Sequence, residues 1–275
     1  GVLTATLRAA ETTVTLRGQA VPGAAFFNNR SPGEVWRVRP GDRLQVGVEN
    51  ALSDETNLHF HGFHVSPAGS SDNVFVMINP GQSFAYDVSL PATHHPGLHW
   101  YHPHHHGNSD GQVLGGLAGL IVVEGGHDQL PGVRGARERV LAYQFWMVDL
   151  AGRLNNDLRA TMIQTLNGVE NGELAAYPGE VQLFRLGNVS TMGFLLLRID
   201  GHTLRVLAED GVPYATPEDR AEFLLPPGKR VEFAVQFGAP GRYVLRNAGY
   251  SWGTIASPAA TLAAINVAGA PRADA

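Results

Sequence analysis

Cysteine is absent from this 275-residue chain. Its absence excludes disulfides, thiolate zinc sites, iron–sulfur clusters and any cysteine nucleophile. Charge is sparse: 20 Lys and Arg stand against 25 Asp and Glu, a formal net charge of -5. That balance leaves no basic footprint for nucleic acid or an anionic membrane. No apolar run reaches the roughly 18 residues a membrane-spanning helix needs. The opening GVLTATLRAAE has neither the basic start nor the apolar stretch of an export signal, so no signal peptide is expected in this chain. Helical periodicity is scarce as well. Only TPEDRAEFL, Thr216 to Leu224, is expected to hold a short turn of helix.

What is present reads as β. In RLQVGVEN, Leu44, Val46 and Val48 alternate with Gln45, Gly47 and Glu49; in SFAYDVSL, Phe84, Tyr86, Val88 and Leu90 do the same. Period-two alternation marks half-buried strands. The 33 glycines and 17 prolines punctuate these runs at short intervals. Short strands between turn residues indicate an all-β chain of Greek-key sandwiches or barrels.

The chain also repeats itself. RPGDRLQVGVEN (Arg39 to Asn50) is echoed by YPGEVQLFRLGN (Tyr177 to Asn188). PGQSFAYDV is echoed by PGKRVEFAV, PGLHWYH by PGRYVLRN, and LAGLIVVEG by TLAAINVAG, in the same order. Ordered recurrence implies two copies of one β domain. The expected boundaries are 1–125 for the first, 126–138 for a polar linker, 139–269 for the second and 270–275 for a tail.

Of the 12 histidines, all but His127 and His202 lie between His59 and His106. In NLHFHGFHV, residues two apart share a strand face, so His59 and His61 project together. In HWYHPHHHG the pair is His102 and His104, with Pro103 between them marking a bulge or an edge. Two facing His-x-His strands would bring four imidazoles together at metal-bonding distance. Neutral imidazole suits copper, zinc, nickel and iron; without thiolates or paired carboxylates, copper and zinc are the readings kept. The second repeat supplies a control. Where the first has HFHG it has Arg198-Ile199-Asp200-Gly201, and Arg246 stands in place of His102. The scaffold therefore does not itself demand histidine at these positions. His64, His94, His95, His99, His105 and His106 are read as neighbours or surface residues, with His106, in phase with His104, expected nearest the metal.

HFHG and WYHPHHHG, followed by GQVLGGLAGLIVVEG, resemble the first domain of the multicopper oxidases, a family that includes laccases and cuprous oxidases. The resemblance runs from Gly33 to about Gly269 and implies two tandem cupredoxin-like Greek-key β-sandwich domains, the first and second of a three-domain enzyme. Carried over, His59 would bind the type 2 copper, and His61, His102 and His104 the type 3 pair. Asp72, in the loop GSSDNVF, would be the acidic residue that helps deliver protons to oxygen. The resemblance also implies an extracytoplasmic setting, periplasmic or secreted.

The departures are as informative. The family takes its remaining cluster ligands from a last domain, together with an H-C-H segment whose cysteine binds the type 1 copper. This chain has neither, so it carries half of a trinuclear site and no type 1 copper. The implied function is an oxidoreductase that couples one-electron oxidation of a small donor to reduction of dioxygen to water. A missing third domain, on which VAGAPRADA would be the approach, or a homo-oligomer would complete the site. The alternative is a non-catalytic copper-binding or storage protein of the cell envelope. A cupin metalloenzyme is disfavoured because His64 and Val65 stand where its glutamate would, and GSSDN is not the elbow of a serine hydrolase.

Overall fold

The structure is a computed structural model and describes residues 1–156, 160–253 and 255–272. Of the tail expected at 270–275, residues 273–275 lie outside the described residues. The chain forms two compact units, Gly1–Glu124 with Trp146–Thr161, and Gly125–Phe145 with Met162–Ala275.

The first unit contains β1 (Val2–Leu16), β2 (Gln19–Phe27), β3 (Trp36–Val38), β4 (Arg43–Ala51), β5 (His59–His61), β6 (Ser83–Ser89), β7 (Gly97–His102) and β8 (Gly119–Val123), with one six-residue helix, α1 (Ser109–Leu114). Two four-stranded sheets result, ordered β2-β1-β4-β6 and β3-β8-β7-β5. The alternation in β4 turns Leu44, Val46 and Val48 inward, and all three are buried. Phe27, Trp36, Phe60, Tyr86 and Tyr101 fill the same core. Each such side chain contributes roughly 1.5–3 kcal/mol by leaving water. The Tyr101 ring stacks on Trp36 at 4.1 Å, and its hydroxyl donates to Glu34 O at 2.9 Å. That bond lets a polar tip lie in the core without a desolvation penalty.

Apart from Trp146–Val148 and Thr161, which fall in the first unit, the second unit is built from β9 (Arg137–Val148), β10 (Thr161–Leu166), β11 (Gly172–Ala176), β12 (Val181–Asn188), β13 (Leu195–Ile199), β14 (Leu204–Glu209), β15 (Val212–Arg220), β16 (Phe223–Leu225), β17 (Arg230–Gln236), β18 (Gly241–Asn247), β19 (Tyr250–Trp252), β20 (Ile255–Ser257) and β21 (Ala260–Val267). Its main sheets run β10-β9-β12-β17-β14-β15 and β11-β21-β18-β13-β16. The helical turn expected over Thr216–Leu224 is not formed. Asp219 and Glu218 pair with Arg205 and Val206 of β14, so cross-strand bonding holds this stretch extended. Tertiary pairing overrides a local preference of this size.

The repeat seen in the sequence is a repeat of hydrogen bonds. Gly41 and Gly179 take φ of 85° and 82°, a region other residues rarely enter. In the turns they make, Arg39 N–H donates to Asp42 Oδ2 at 2.8 Å and Tyr177 N–H to Glu180 Oε2 at 2.7 Å. Asn50 and Asn188 are both buried. Asn50 Nδ2 donates to Asp54 O and Ile78 O, each at 2.8 Å, and its Oδ1 accepts from Leu52 N–H. Asn188 Nδ2 donates to Gly193 O and Leu225 O, and its Oδ1 accepts from Ser190 N–H. One amide staples the same strand end in both units. The fold is therefore two tandem Greek-key β-sandwiches.

Candidate metal centre

The cross-strand register of β5 with β7 builds the site. His59 pairs with His102, Phe60 with Tyr101 and His61 with Trp100. Within β5, Phe60 points into the core and is fully buried, while His59 and His61 project from the other face and are half-buried. The Trp100 ring stacks on His102 at 4.0 Å and lies 4.9 Å from that of His61. It fixes both imidazoles from one side.

His59, His61 and His102 each offer a ring nitrogen, and the three lie within 4.8 Å of one another. His61 Nδ1 and His102 Nε2 face each other at 3.3 Å. Two hydrogen bonds settle the tautomers. His102 Nδ1 lies 2.8 Å from Pro103 O, an acceptor only, so Nδ1 carries the proton and Nε2 keeps its lone pair. His59 Nδ1 lies 2.9 Å from the Asp72 carboxylate, which likewise leaves Nε2 as the free donor atom. Burial, and then the neighbouring His59 and His61, hold His102 well below the ordinary imidazole pKa. It is therefore neutral, the form that ligates metal. A ring with its outer nitrogen hydrogen-bonded and its inner lone pair aimed at its fellows is how metal-binding histidines are prepared. The donor set fits copper or zinc.

Asp72 is buried, and its Oδ1 also accepts from Phe60 N–H at 3.0 Å. It thus grips the strand between the two histidines as well as the His59 ring. His104 stands at the edge. Strand β7 stops at His102, because Pro103 has no N–H with which to extend the ladder. His104 is exposed, with ring centroids 5.2 Å from His59 and 6.0 Å from His102, and its nitrogens lie outside the close trio. His104 lies beyond the end of β7, so what brings its ring near His59 is not strand alternation. His106 is exposed in the turn beyond.

His94 and His99, with His64 beside His94, form a separate cluster around Phe63. His94 and His99 are buried against that ring, each with centroids 5.2 Å from it. His94 Nε2 accepts from His64 N–H at 3.2 Å, and its Nδ1 donates to His95 O at 2.9 Å. With both nitrogens engaged, His94 braces the loop that follows β5. The sequence reading passed over Asn57, which is fully buried behind the site. Its signal was a polar residue two positions before His59, in phase with it.

Among the described residues, a close histidine trio sits on the first of two tandem β-sandwiches and has no counterpart in the second. Residues 8–128 and 137–269 each match a family model described as multicopper oxidase. The iron transport multicopper oxidase fetC of Epichloe festucae is 28% identical over 239 residues, covering 75% of this chain and 37% of the relative. Multicopper oxidase mco of Staphylococcus haemolyticus is 26% identical over 219 residues, covering 76% and 47%. Among solved structures, a multicopper oxidase from Pseudomonas thermotolerans superposes with TM-score 0.82 at 28% identity, covering 100% of this chain and 66% of that one. The chain belongs to the multicopper oxidase family, and membership implies copper. It spans between a third and a half of the length of these two curated relatives.

Proposed function

We propose that this chain is the oxygen-side half of a copper oxidoreductase, coupling one-electron oxidation of a small donor to reduction of dioxygen to water. His59 would hold a type 2 copper, and His61, His102 and His104 a type 3 pair. The observation that carries this is the approach of His61 Nδ1 to His102 Nε2 with His59 beside them. Bound copper supplies the one-electron redox steps that side chains cannot. This chain's own part is to present imidazole nitrogens, His102 among them in its neutral form, hold His59 through Asp72, and leave the His104 edge open. Asp72 would also pass protons toward that edge.

The proposal places the domain boundaries at 1–125 and 139–269, joined by 126–138. It gives the chain no type 1 copper, because there is no cysteine to bind one. A further domain or another copy of the chain would supply the remaining ligands and the port for electrons. Relatives named for iron transport make a metal ion one candidate donor, beside phenols. No helix among the described residues is long and apolar enough to cross a membrane, and an extracytoplasmic setting is part of the proposal.

The test is a copper titration of the purified chain with oxygen uptake recorded alongside. Stoichiometric copper bound through histidine nitrogen supports the reading, and oxygen consumption would then appear only with the completing ligands present. Loss of histidine-bound copper from neither His59→Ala nor His102→Ala would contradict it.

A further inference from the structure

Asn57 is fully buried, and its side-chain bonds lead to two separate parts of the centre. Its Oδ1 accepts from His104 N–H at 2.6 Å. Its Nδ2 donates to Val74 O at 2.8 Å and to Val76 O at 3.2 Å, in the stretch just after Asp72. Its own backbone leads into His59. One amide therefore joins the entry to the first histidine pair, the exit from the second and the loop that carries the carboxylate.

The second unit explains why an asparagine is needed here. Arg198 pairs with Arg246 as His59 pairs with His102, so Leu196 stands in the place of Asn57 and Asn247 in the place of Pro103. Asn247 is fully buried; its Oδ1 accepts from Leu196 N–H at 3.0 Å and its Nδ2 donates to Phe194 O at 3.0 Å. The same two strand ends are tied, but from the opposite strand. A proline has no side-chain donor or acceptor, so Pro103 cannot make that tie. In the first unit the amide has crossed to Asn57.

We infer that Asn57 is a positioning residue that locks His59, His104 and the Asp72 loop into one arrangement, in exchange for the tie that Pro103 gave up. The inference rests on the copper reading for its consequence and on the metal-free fold for its geometry. Partners that orient metal ligands typically change metal affinity by about 10–100-fold when removed.

The experiment compares the full chain with Asn57→Leu, which copies the second unit, and with Asn57→Leu combined with Pro103→Asn, which copies both positions. Two readouts are taken on each: amide hydrogen exchange at His104 without metal, and copper affinity with the nitrogen hyperfine pattern of the bound ion. Asn57→Leu is expected to lose His104 protection and about 10–100-fold in copper affinity, and the double variant to regain both. A His104 amide equally protected in wild type and Asn57→Leu overturns the inference, whether or not copper binds. A wild-type chain that protects His104 but binds no copper removes the metal reading and leaves the lock standing. Should Asn57→Leu not fold, Asn57→Asp replaces it, keeping the acceptor and losing both donors. The His104 amide must then stay protected while the 74–76 segment exchanges faster, and loss of His104 protection in that variant contradicts the inference.

Discussion

Asp72 accepts two hydrogen bonds from adjacent residues of one strand, the Nδ1–H of His59 at 2.9 Å and the backbone N–H of Phe60 at 3.0 Å. A single carboxylate oxygen thereby sets the rotation of a ligand ring and the path of the strand that carries it. Asp72→Ala leaves the Phe60 N–H buried without a partner. The expected cost is about 1–3 kcal/mol of stability, read from the urea midpoint of the metal-free chain. Copper affinity should fall by about 10–100-fold as His59 loses its orientation, read by titration calorimetry. Unchanged values in both measurements would remove Asp72 from the centre.

Asn50 and Asn188 perform one task in two units, and their loss should be felt alike. Replacing either with alanine removes two hydrogen bonds to backbone carbonyls and one from a backbone N–H. The predicted penalty is at least about 2 kcal/mol for each, measured by chemical unfolding. A large effect at one and none at the other would show that the repeat is one of sequence alone.

The second unit holds a buried charge network. Arg185 pairs with Glu232, both about 1% exposed, and with Glu138 at 2.5 Å, while His127 Nε2 lies 2.9 Å from Glu232. Removing Glu232 takes from the buried Arg185 guanidinium its fully buried carboxylate partner, with Glu138 remaining. Glu232→Ala is predicted to destabilise the chain by roughly 3–5 kcal/mol, with the copper site untouched. Thermal unfolding and copper titration of the same variant check both halves of that statement.

Burial lowers the His94 pKa from the ordinary 6.5, aided by nearby His64 and His95, against the opposing pull of its bond to His95 O. His99 packs against it and Phe63 lies alongside. The unfolded chain therefore takes up a proton more readily than the folded one. Stability from this site is fully present above pH 6.5 and is lost as pH falls below it toward the folded value. Urea midpoints of the metal-free chain at pH 7.5 and 5.5 should differ in that direction, and by less in His94→Gln. An equal slope in the variant would clear His94 of the effect.

Strand alternation and the doubled PG turns were legible in the sequence because period two and positive φ leave local marks at Leu44, Val46, Gly41 and Gly179. The HFHG pair was legible for the same reason, since β5 is a regular strand. His104 was harder. Pro103 ends β7, and where the chain goes afterwards depends on Asn57, a residue far away in sequence. Thr216–Leu224 misled because the pairing that holds it extended comes from β14. The close stacking of Trp100 on His102 follows from register across two strands, which no single stretch of sequence displays.

The central claim is that His59, His61 and His102 share one metal ion or a tight group of ions. The most direct measurement is metal content with copper electron paramagnetic resonance on the full chain, beside His59→Ala, His61→Ala and His102→Ala. The account predicts bound copper with nitrogen hyperfine splitting in the wild type, and loss or alteration of that signal in each variant that remains folded. A chain that takes up no copper, or whose copper signal is identical in all three variants, would contradict it.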